Sequence, residues 1–279
     1  MIDNQNSPVG SRPPIVLIHG MWMTALCWEH WVERYQRQGF EVVARSWPGL
    51  EGDVAALRKD PSGVRDLGIT EIVDFYADVI RGLDRKPIIM GHSFGALITQ
   101  ILLDDGFGVA GVAIDSAPVK GVLRLPWSAL KSAFPGLKNP ANRHGAVALT
   151  PEEFHYAFTN TMTDEESRAA YERYAVPGPG RPLFQAAFAN FNPHAASRID
   201  FHNDNRAPLL VIAGGADHVS PPSINRTIAK LQHRSKSITA YKEFAGRNHF
   251  LLGQPGWEAI ADFALAWALD PTELHDDAP

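Results

Sequence analysis

Short apolar runs alternate with longer amphipathic segments along most of the chain, which is typical of a parallel sheet covered by helices. Six runs have the length and composition of buried strands: Ile15–Ile18, Glu41–Ala44, Ile88–Met90, Gly108–Ile114, Pro208–Ala213 and Ile238–Lys242. Helical periodicity is found over Trp28–Gln38, Ile69–Leu83, Ala96–Asp105 and Trp257–Leu269. The pattern therefore predicts an α/β fold, with a mostly parallel sheet of about six or more strands and helices on both faces.

The alternation stops between residues 119 and 203, where the sequence shows helical patterns only. Two capping boxes predict helix starts in this region, at Thr150–Glu153 and at Thr163–Glu166. The Pro-Gly-Pro-Gly sequence of residues 177–180 interrupts the chain, and phenylalanines then recur at helical spacing. We interpret this region as a helical lid inserted into the α/β core.

The predicted domain organisation is one core with one insertion. Residues 14–118 and 204–269 form the α/β core, and residues 119–203 form the lid. Residues 1–13 and the acidic residues 270–279 are expected to be flexible termini. A chain of 279 residues buries enough apolar surface to fold without a metal ion or a disulfide.

The composition excludes several classes of protein. With 26 Lys and Arg against 31 Asp and Glu, the net charge is −5, which argues against a nucleic-acid partner. The single cysteine, Cys27, excludes an internal disulfide and a cysteine-based metal site. No secretory leader and no apolar run of about 18 residues is present, so we expect no membrane span and a soluble, cytoplasmic protein. The sequence leaves monomer and dimer open.

One motif points to nucleophilic catalysis. Gly91-His92-Ser93-Phe94-Gly95 is a G-x-S-x-G sequence that lies between a predicted strand and a predicted helix. A serine on such a sharp turn needs small neighbours, and the turn presents its hydroxyl together with the Phe94 N–H at a helix N-terminus. A glycine-rich turn with an incidental serine is the alternative, and the strand–helix context favours the nucleophile.

A serine hydroxyl needs a base to accept its proton, and the base needs an acid to orient it. His249 lies in the loop between the last predicted strand and the last predicted helix. Asp217 follows the strand before it, after a Gly-Gly turn. Asp115, at the end of an earlier strand, is the rival acid, although a strand-end aspartate more often caps the next turn. We therefore predict Ser93 as nucleophile, His249 as base and Asp217 as the acid.

The chain order Ser93, Asp217, His249 and the setting of each residue resemble the α/β-hydrolase superfamily. The resemblance covers about residues 14–269, and its nearest branch is that of the lidded serine esterases and monoacylglycerol-lipase-like hydrolases. It does not extend to the H-G-G-G type of lipase, because a single glycine follows His19.

The resemblance also implies an oxyanion hole after the first strand. There the backbone N–H of Met21 is the second donor, partnering that of Phe94, and Trp22 is the less favoured donor. His19 is implied to brace this loop. Residues 21–23 are expected to line an apolar acyl pocket.

Aromatic residues of the lid are further candidates for the substrate pocket. We predict that Phe158, Phe184 and Phe188 contact substrate together with Trp22. The alternative is that these side chains belong to the hydrophobic core, because aromatic residues at helical spacing usually do.

The predicted function is hydrolysis of carboxylic esters of small to medium apolar substrates through an acyl-enzyme, without cofactor or metal. Serine at position 93 argues against dehalogenases and epoxide hydrolases of the superfamily, which attack with an aspartate. Lactonases, C–C-bond hydrolases and acyltransferases use the same triad, so they remain open. A non-catalytic ligand-binding member is a second class, but such proteins commonly lose a triad residue.

Overall fold

A computed structural model describes residues 12–272 and 274 of the chain, and these residues form eight strands. They are β1 (Ile15–Ile18), β2 (Val42–Ala44), β3 (Ile88–His92), β4 (Ala110–Ile114), β5 (Ala146–Val147), β6 (Gly178–Pro179), β7 (Leu209–Gly214) and β8 (Thr239–Phe244). Six of them form one fully parallel sheet in the order β2-β1-β3-β4-β7-β8. The predicted parallel sheet of about six strands is confirmed.

Ten α-helices are formed by the described residues. They are α1 (Glu29–Arg37), α2 (Val54–Lys59), α3 (Ile69–Arg81), α4 (Phe94–Asp104), α5 (Trp127–Leu137), α6 (Pro151–Phe158), α7 (Asp164–Tyr174), α8 (Arg181–Ala187), α9 (Pro222–Gln232) and α10 (Trp257–Leu269). The helices predicted from periodicity correspond to α1, α3, α4 and α10, and the bounds of α10 are those predicted.

Both capping boxes are present as the sequence predicts. The Thr150 hydroxyl accepts the Glu153 N–H, and the Glu153 carboxylate accepts the Thr150 N–H, at 3.2 and 2.9 Å. Thr163 and Glu166 make the same reciprocal pair at the start of α7. Each pair satisfies two backbone N–H groups at a helix end, so a local sequence signal alone fixes these two helix starts.

The sheet is buried at its centre because helices cover it. Every residue of β1, β3, β4 and β7 is buried, and α4 packs against the first three of these strands. From β1 the chain moves outward to β2 and then returns to β3 on the other side of β1. In parallel sheets, ligands bind beyond the carboxyl ends of the strands at such a reversal.

Residues 119–203 lie between β4 and β7, which are hydrogen-bonded neighbours in the sheet. This inserted segment contains α5–α8, so its mainly helical character is as predicted. The prediction of helical patterns only was wrong, because β5 pairs with β6 in a two-residue antiparallel ladder. A ladder this short has no periodicity to detect, and Pro179 is tolerated in it because an edge position needs no N–H donor.

The prediction of flexible termini falls largely on residues 1–11, 273 and 275–279, which lie outside the described residues. Among the helices of the described residues, none combines the length and the apolar character that crossing a membrane requires.

Candidate active site

The carboxyl ends of five parallel strands meet at one edge of the sheet, and the candidate residues predicted from the sequence follow these ends. His19 follows β1, Ser93 follows β3, Asp115 follows β4, Asp217 follows β7 and His249 follows β8. Residues far apart in the sequence are therefore collected along a single edge, as the parallel topology requires.

Ser93 occupies a strained turn between β3 and α4. Its φ of 57° and ψ of −120° are rare for a residue with a side chain. A methyl group on Gly91 would overlap the carbonyl oxygen of Gly95, and one on Gly95 would overlap the carbonyl oxygen of Ile18. A Cβ on Gly20 would lie 2.6 Å from the Cβ of Ser93. Glycine is therefore required at all three positions that surround the serine.

Asp217 and His249 form a buried hydrogen-bonded pair. Nδ1 of His249 lies 2.7 Å from Oδ2 of Asp217, and both side chains are fully buried. The other carboxylate oxygen of Asp217 accepts the backbone N–H groups of Val219 and Ser220, at 2.6 and 3.0 Å. Because Nδ1 donates to the carboxylate, Nε2 carries the free lone pair, and that nitrogen has no hydrogen-bond partner among the described residues. A free Nε2 is what a general base needs.

Two neighbours hold the His249 loop against the serine turn. Nε2 of His92, the residue before Ser93, donates to the His249 carbonyl oxygen at 2.8 Å, and the two imidazole centroids lie 4.6 Å apart. Burial, and then the nearby His249, lower the pKa of His92 well below its usual range, so His92 is neutral. The Phe158 ring meets the His249 ring edge-on at 4.8 Å.

Two backbone N–H groups are available beside Ser93. Those of Met21 and Phe94 donate no hydrogen bond to another described residue, and Phe94 is the first residue of α4. Trp22, which follows Met21, has a positive φ of 65°. Its indole N–H donates to the Val147 carbonyl at 3.0 Å, and its own carbonyl accepts the Val176 N–H at 2.9 Å. The inserted segment thus fixes the loop after β1.

His19 supports the same loop through hydrogen bonds and ring stacking. Its Nε2 accepts the Trp47 N–H at 2.9 Å, its Nδ1 lies 2.8 Å from the Gly20 carbonyl oxygen, and its ring stacks on Trp47. Burial lowers the pKa of His19 to about 4. The neutral ring can accept one of these hydrogen bonds and donate the other.

Asp115 is buried behind the Asp217–His249 pair without bonding to the histidine. Its Oδ1 accepts the Gly214 N–H at 2.6 Å, and its Oδ2 has no partner among the described residues. Burial, followed by the negative charge of Asp217, raises the pKa of Asp115 well above its usual range. Its φ is positive, at 47°.

One group of potential metal ligands occurs among the described residues. A nitrogen each of His92 and His249 and an oxygen of Asp115 lie within 4.8 Å of one another. Coordination through Nε2 of His249 would remove the lone pair that a base requires. Coordination through Nδ1 would replace its bond to Asp217. We therefore assign no metal ion to this cluster.

An apolar pocket of about 190 Å³ opens onto the serine. Its lining contains Ser93, Phe94 and Trp22, residues of the loop after β4, small and apolar residues of the inserted segment, and residues that follow Asp217. The contributors from the inserted segment are Leu125, Ala129, Leu130, Ser132, Ala133, Leu137, Leu183, Ala186 and Ala187. None of the described residues that line this pocket is charged.

The four predicted substrate contacts are placed differently from one another. Trp22 lines the pocket, whereas Phe158 is buried against His249 and Phe154 instead. Phe184 and Phe188 are not among the lining residues. They stack on each other, and Phe188 is largely exposed.

Sequence reasoning missed His92 and the pocket side of α5. A histidine at the buried end of a strand, next to Ser93, was the available signal for His92. The alanines and leucines of α5 gave none, because such residues occur in every helix.

Comparison with known proteins gives a consistent result. The sequence model of the alpha/beta hydrolase family matches residues 15–262. The chain is 33% identical over 239 residues to (E)-2-((N-methylformamido)methylene)succinate hydrolase from Acinetobacter baylyi, an alignment that covers 83% of this chain and 81% of the relative.

Solved structures show the same fold at lower identity. The chain is similar to monoacylglycerol lipase from Paleococcus ferrophilus, with 20% identity and a TM-score of 0.61 over 91% of this chain and 96% of that one. An extracellular alpha/beta-hydrolase from a Paenibacillus species gives 20% identity and 0.64 over 92% and 99%. Polyneuridine aldehyde esterase gives 16% identity and 0.62 over 92% and 99%.

Proposed function

The chain belongs to the alpha/beta hydrolase family, and on that basis we propose that it hydrolyses carboxylic esters of small to medium apolar compounds through an acyl-enzyme. One observation above all supports this. A histidine bonded to a buried carboxylate, with its other nitrogen free, is held by His92 against the strained turn of Ser93. An apolar pocket opens at that serine.

In the proposed mechanism, Oγ of Ser93 attacks the carbonyl carbon while Nε2 of His249 takes its proton. Asp217 keeps Nδ1 protonated and stabilises the imidazolium that forms. The Met21 and Phe94 N–H groups bind the oxyanion, each contributing about 3 kcal/mol to transition-state stabilisation. His249 then protonates the leaving alcohol and activates the water that releases the acid.

The pocket supports an apolar substrate. At about 190 Å³ it is smaller than the roughly 300–1,000 Å³ of pockets for drug-sized ligands. In the part of the chain that the structure describes, its lining offers no Lys, Arg or His to a carboxylate. We propose that α5 and α8 act as a lid that shapes this pocket, and that the substrate is a neutral ester.

The named substrate of the Acinetobacter relative favours a second candidate. That name specifies a succinate with an amide group and no ester, so related enzymes cleave other bonds. Lactone hydrolysis, C–C-bond hydrolysis and acyl transfer require the same nucleophile, base and acid, and they remain alternatives here.

A substrate panel distinguishes these candidates. We would measure kcat/KM for p-nitrophenyl esters from acetate to palmitate, for a lactone, for a β-diketone and for the succinate substrate of the relative. The proposal expects turnover of the shorter esters, labelling by a fluorophosphonate probe, and loss of both in Ser93→Ala. Labelled protein that cleaves only the β-diketone or the succinate would replace ester hydrolysis by the second candidate.

A further inference from the structure

Exposed apolar side chains are concentrated in the inserted segment, on elements that also contribute residues to the pocket. Of the ten large apolar residues exposed in the described part of the chain, seven lie between residues 123 and 191. We call six of them the mouth patch: Leu123, Trp127, Leu130, Phe134, Phe188 and Phe191. The exposed fractions of Leu123, Trp127 and Phe191 are 79%, 76% and 86%. Large contiguous apolar surfaces of this kind usually mark a contact with something else.

Helix α5 has its apolar residues on the outside. Trp127, Leu130 and Phe134, at spacings of three and four, share the exposed face, while Ala129 and Ser132 are buried. An ordinary surface helix has the reverse arrangement, with the large apolar residues against the core. The outer face of α5 is therefore not explained by packing within the chain.

The mouth patch comes from two segments of the chain, and a hydrogen-bonded side chain, that of Asn190, joins them. Asn190 accepts the Gly121 N–H and donates to the Val122 carbonyl oxygen, each at 2.8 Å. These bonds hold the turn that carries Phe188 and Phe191 against the loop that carries Leu123. The two groups of aromatic and aliphatic residues thus form one surface.

The mouth patch is continuous with the pocket. Leu130 belongs to the exposed face of α5 and also lines the pocket. Leu125, which precedes α5, is likewise both exposed and part of the lining. An apolar chain that leaves an apolar phase at the patch would meet the pocket, and Ser93, without crossing a polar surface.

The segment that carries most of the mouth patch is basic, in a chain whose net charge is −5. Residues 116–151 contain five Lys and Arg and no Asp or Glu. Arg124, Lys131 and Lys138 are exposed among or beside the apolar residues, and no salt bridge of the described residues includes them. The Lys131 ammonium lies over the Tyr156 ring, 3.7 Å from its centroid, and so keeps its charge without a carboxylate partner. Exposed aromatics, leucines and basic residues outside any salt bridge are together typical of a surface that lies on an anionic lipid layer.

We propose that the mouth patch docks onto an anionic lipid–water interface and that the pocket receives its ester from there. A second copy of the chain fits this surface less well, because a two-fold interface places a patch against itself and would oppose basic residue to basic residue. The delivery of substrate rests on the proposed function, whereas the docking does not.

Vesicle flotation tests the docking directly. The protein is mixed with vesicles of phosphatidylcholine alone, or of phosphatidylcholine and phosphatidylglycerol in equal parts, and the bound fraction is measured at low and high salt. We expect binding to the anionic vesicles, weakened by salt. Replacing two basic residues in Arg124→Gln/Lys131→Gln should weaken partitioning roughly thirtyfold. Trp127→Ser/Phe191→Ser should weaken it by at least about tenfold.

Matched controls separate the patch from general effects. Leu269→Ser and Lys230→Gln change an exposed apolar and an exposed basic residue elsewhere, and should bind as the wild type does. All patch variants should keep their turnover of a water-soluble short ester, which also verifies their folding. Ser93→Ala should bind vesicles normally.

The outcomes are distinct. Absence of binding to anionic vesicles, or equal binding by the patch variants, overturns the proposal. A dimer that forms without vesicles, and that the patch substitutions dissociate, would assign the surface to self-association instead. Vesicle binding without any ester turnover would leave the docking intact and remove the proposed function.

Discussion

At the scale of single residues, the site depends on which buried groups carry charge. Asp217 accepts two backbone N–H groups and the His249 ring, while Asp115 accepts only the Gly214 N–H. Burial and the charge of Asp217 raise the pKa of Asp115. Asp115 is therefore the carboxyl group of this site in which burial favours the neutral form.

This assignment predicts different effects for two equivalent substitutions. Asp217→Asn should lower kcat by about 10⁴-fold, because an amide donor favours the wrong tautomer of His249. Asp115→Asn should keep kcat near that of wild type, because an amide has nearly the shape of the carboxyl group and keeps an acceptor oxygen for the Gly214 N–H. Steady-state kinetics on one ester measures both, and circular dichroism verifies folding. A crippled Asp115→Asn with an active Asp217→Asn would reverse the roles.

The burial of His19 predicts how the stability of the protein depends on pH. Burial lowers its pKa from 6.5 to about 4, so between these values the unfolded chain binds the proton and the folded chain does not. The free energy of unfolding therefore has its full value above pH 6.5. It decreases by about 3 kcal/mol as the pH falls towards 4. Across this pH range, the free energy of unfolding measured with urea should change less steeply with pH for His19→Gln than for wild type. The exposed His202 offers a control, since His202→Gln should keep the wild-type slope.

At the scale of elements, helices of the inserted segment shape the pocket with small side chains rather than aromatic ones. Ala133 of α5 and Ala186 of α8 both line it, and Phe188 at the end of α8 does not. The volume available to an acyl chain therefore depends on residues whose side chains are short.

Ala186→Leu should shorten the acyl chain that the enzyme prefers. The added carbons would occupy part of the roughly 190 Å³ pocket, so kcat/KM for long esters should fall at least about tenfold while that for acetate is kept. Phe188→Ala is the control, because that side chain lies outside the pocket, and its ester profile should parallel that of wild type. Equal profiles for both variants would show that the ester binds elsewhere.

At the scale of the whole molecule, the chemistry depends on a sheet that assembles residues from 19 to 249 at one edge. Local opening of this sheet would separate them, so the core around β1 has to stay closed. Cys27 lies in this region, in the 3₁₀ helix after β1, with 3% of its surface exposed. Burial raises the pKa of its thiol well above the usual range.

Cys27 should react with a thiol reagent only when the molecule unfolds. In native buffer, labelling by dithionitrobenzoate should be negligible, because the buried thiol is neutral and inaccessible. In urea, the labelling transition should coincide with the loss of far-ultraviolet circular dichroism. Rapid labelling before that transition would indicate that the region around β1 opens on its own.

The sequence by itself determined the six strands of the parallel sheet, four helices, two helix caps and the positions of Ser93, Asp217 and His249 as candidates. These features depend on local signals: apolar runs, periodicity, capping residues, and glycines beside a serine. The parallel topology then follows from strands that alternate with helices, so the order of the candidates along the chain already indicated that they share one edge.

Only the tertiary structure decided which residues surround those candidates. Three contacts join segments distant in sequence: the bond from His92 to the His249 carbonyl, the bond from the Gly214 N–H to Asp115, and the two-residue ladder of β5 and β6. The tertiary structure also decided which face of α5 is covered, because its sequence pattern fits burial on either face. The small residues of α5 line the pocket together with two leucines, whereas its aromatic residues, Trp127 and Phe134, are exposed. Close packing against neighbouring elements leaves no room for an aromatic side chain on the covered side. Periodicity shows that a helix has two faces, but only packing determines which of them is covered.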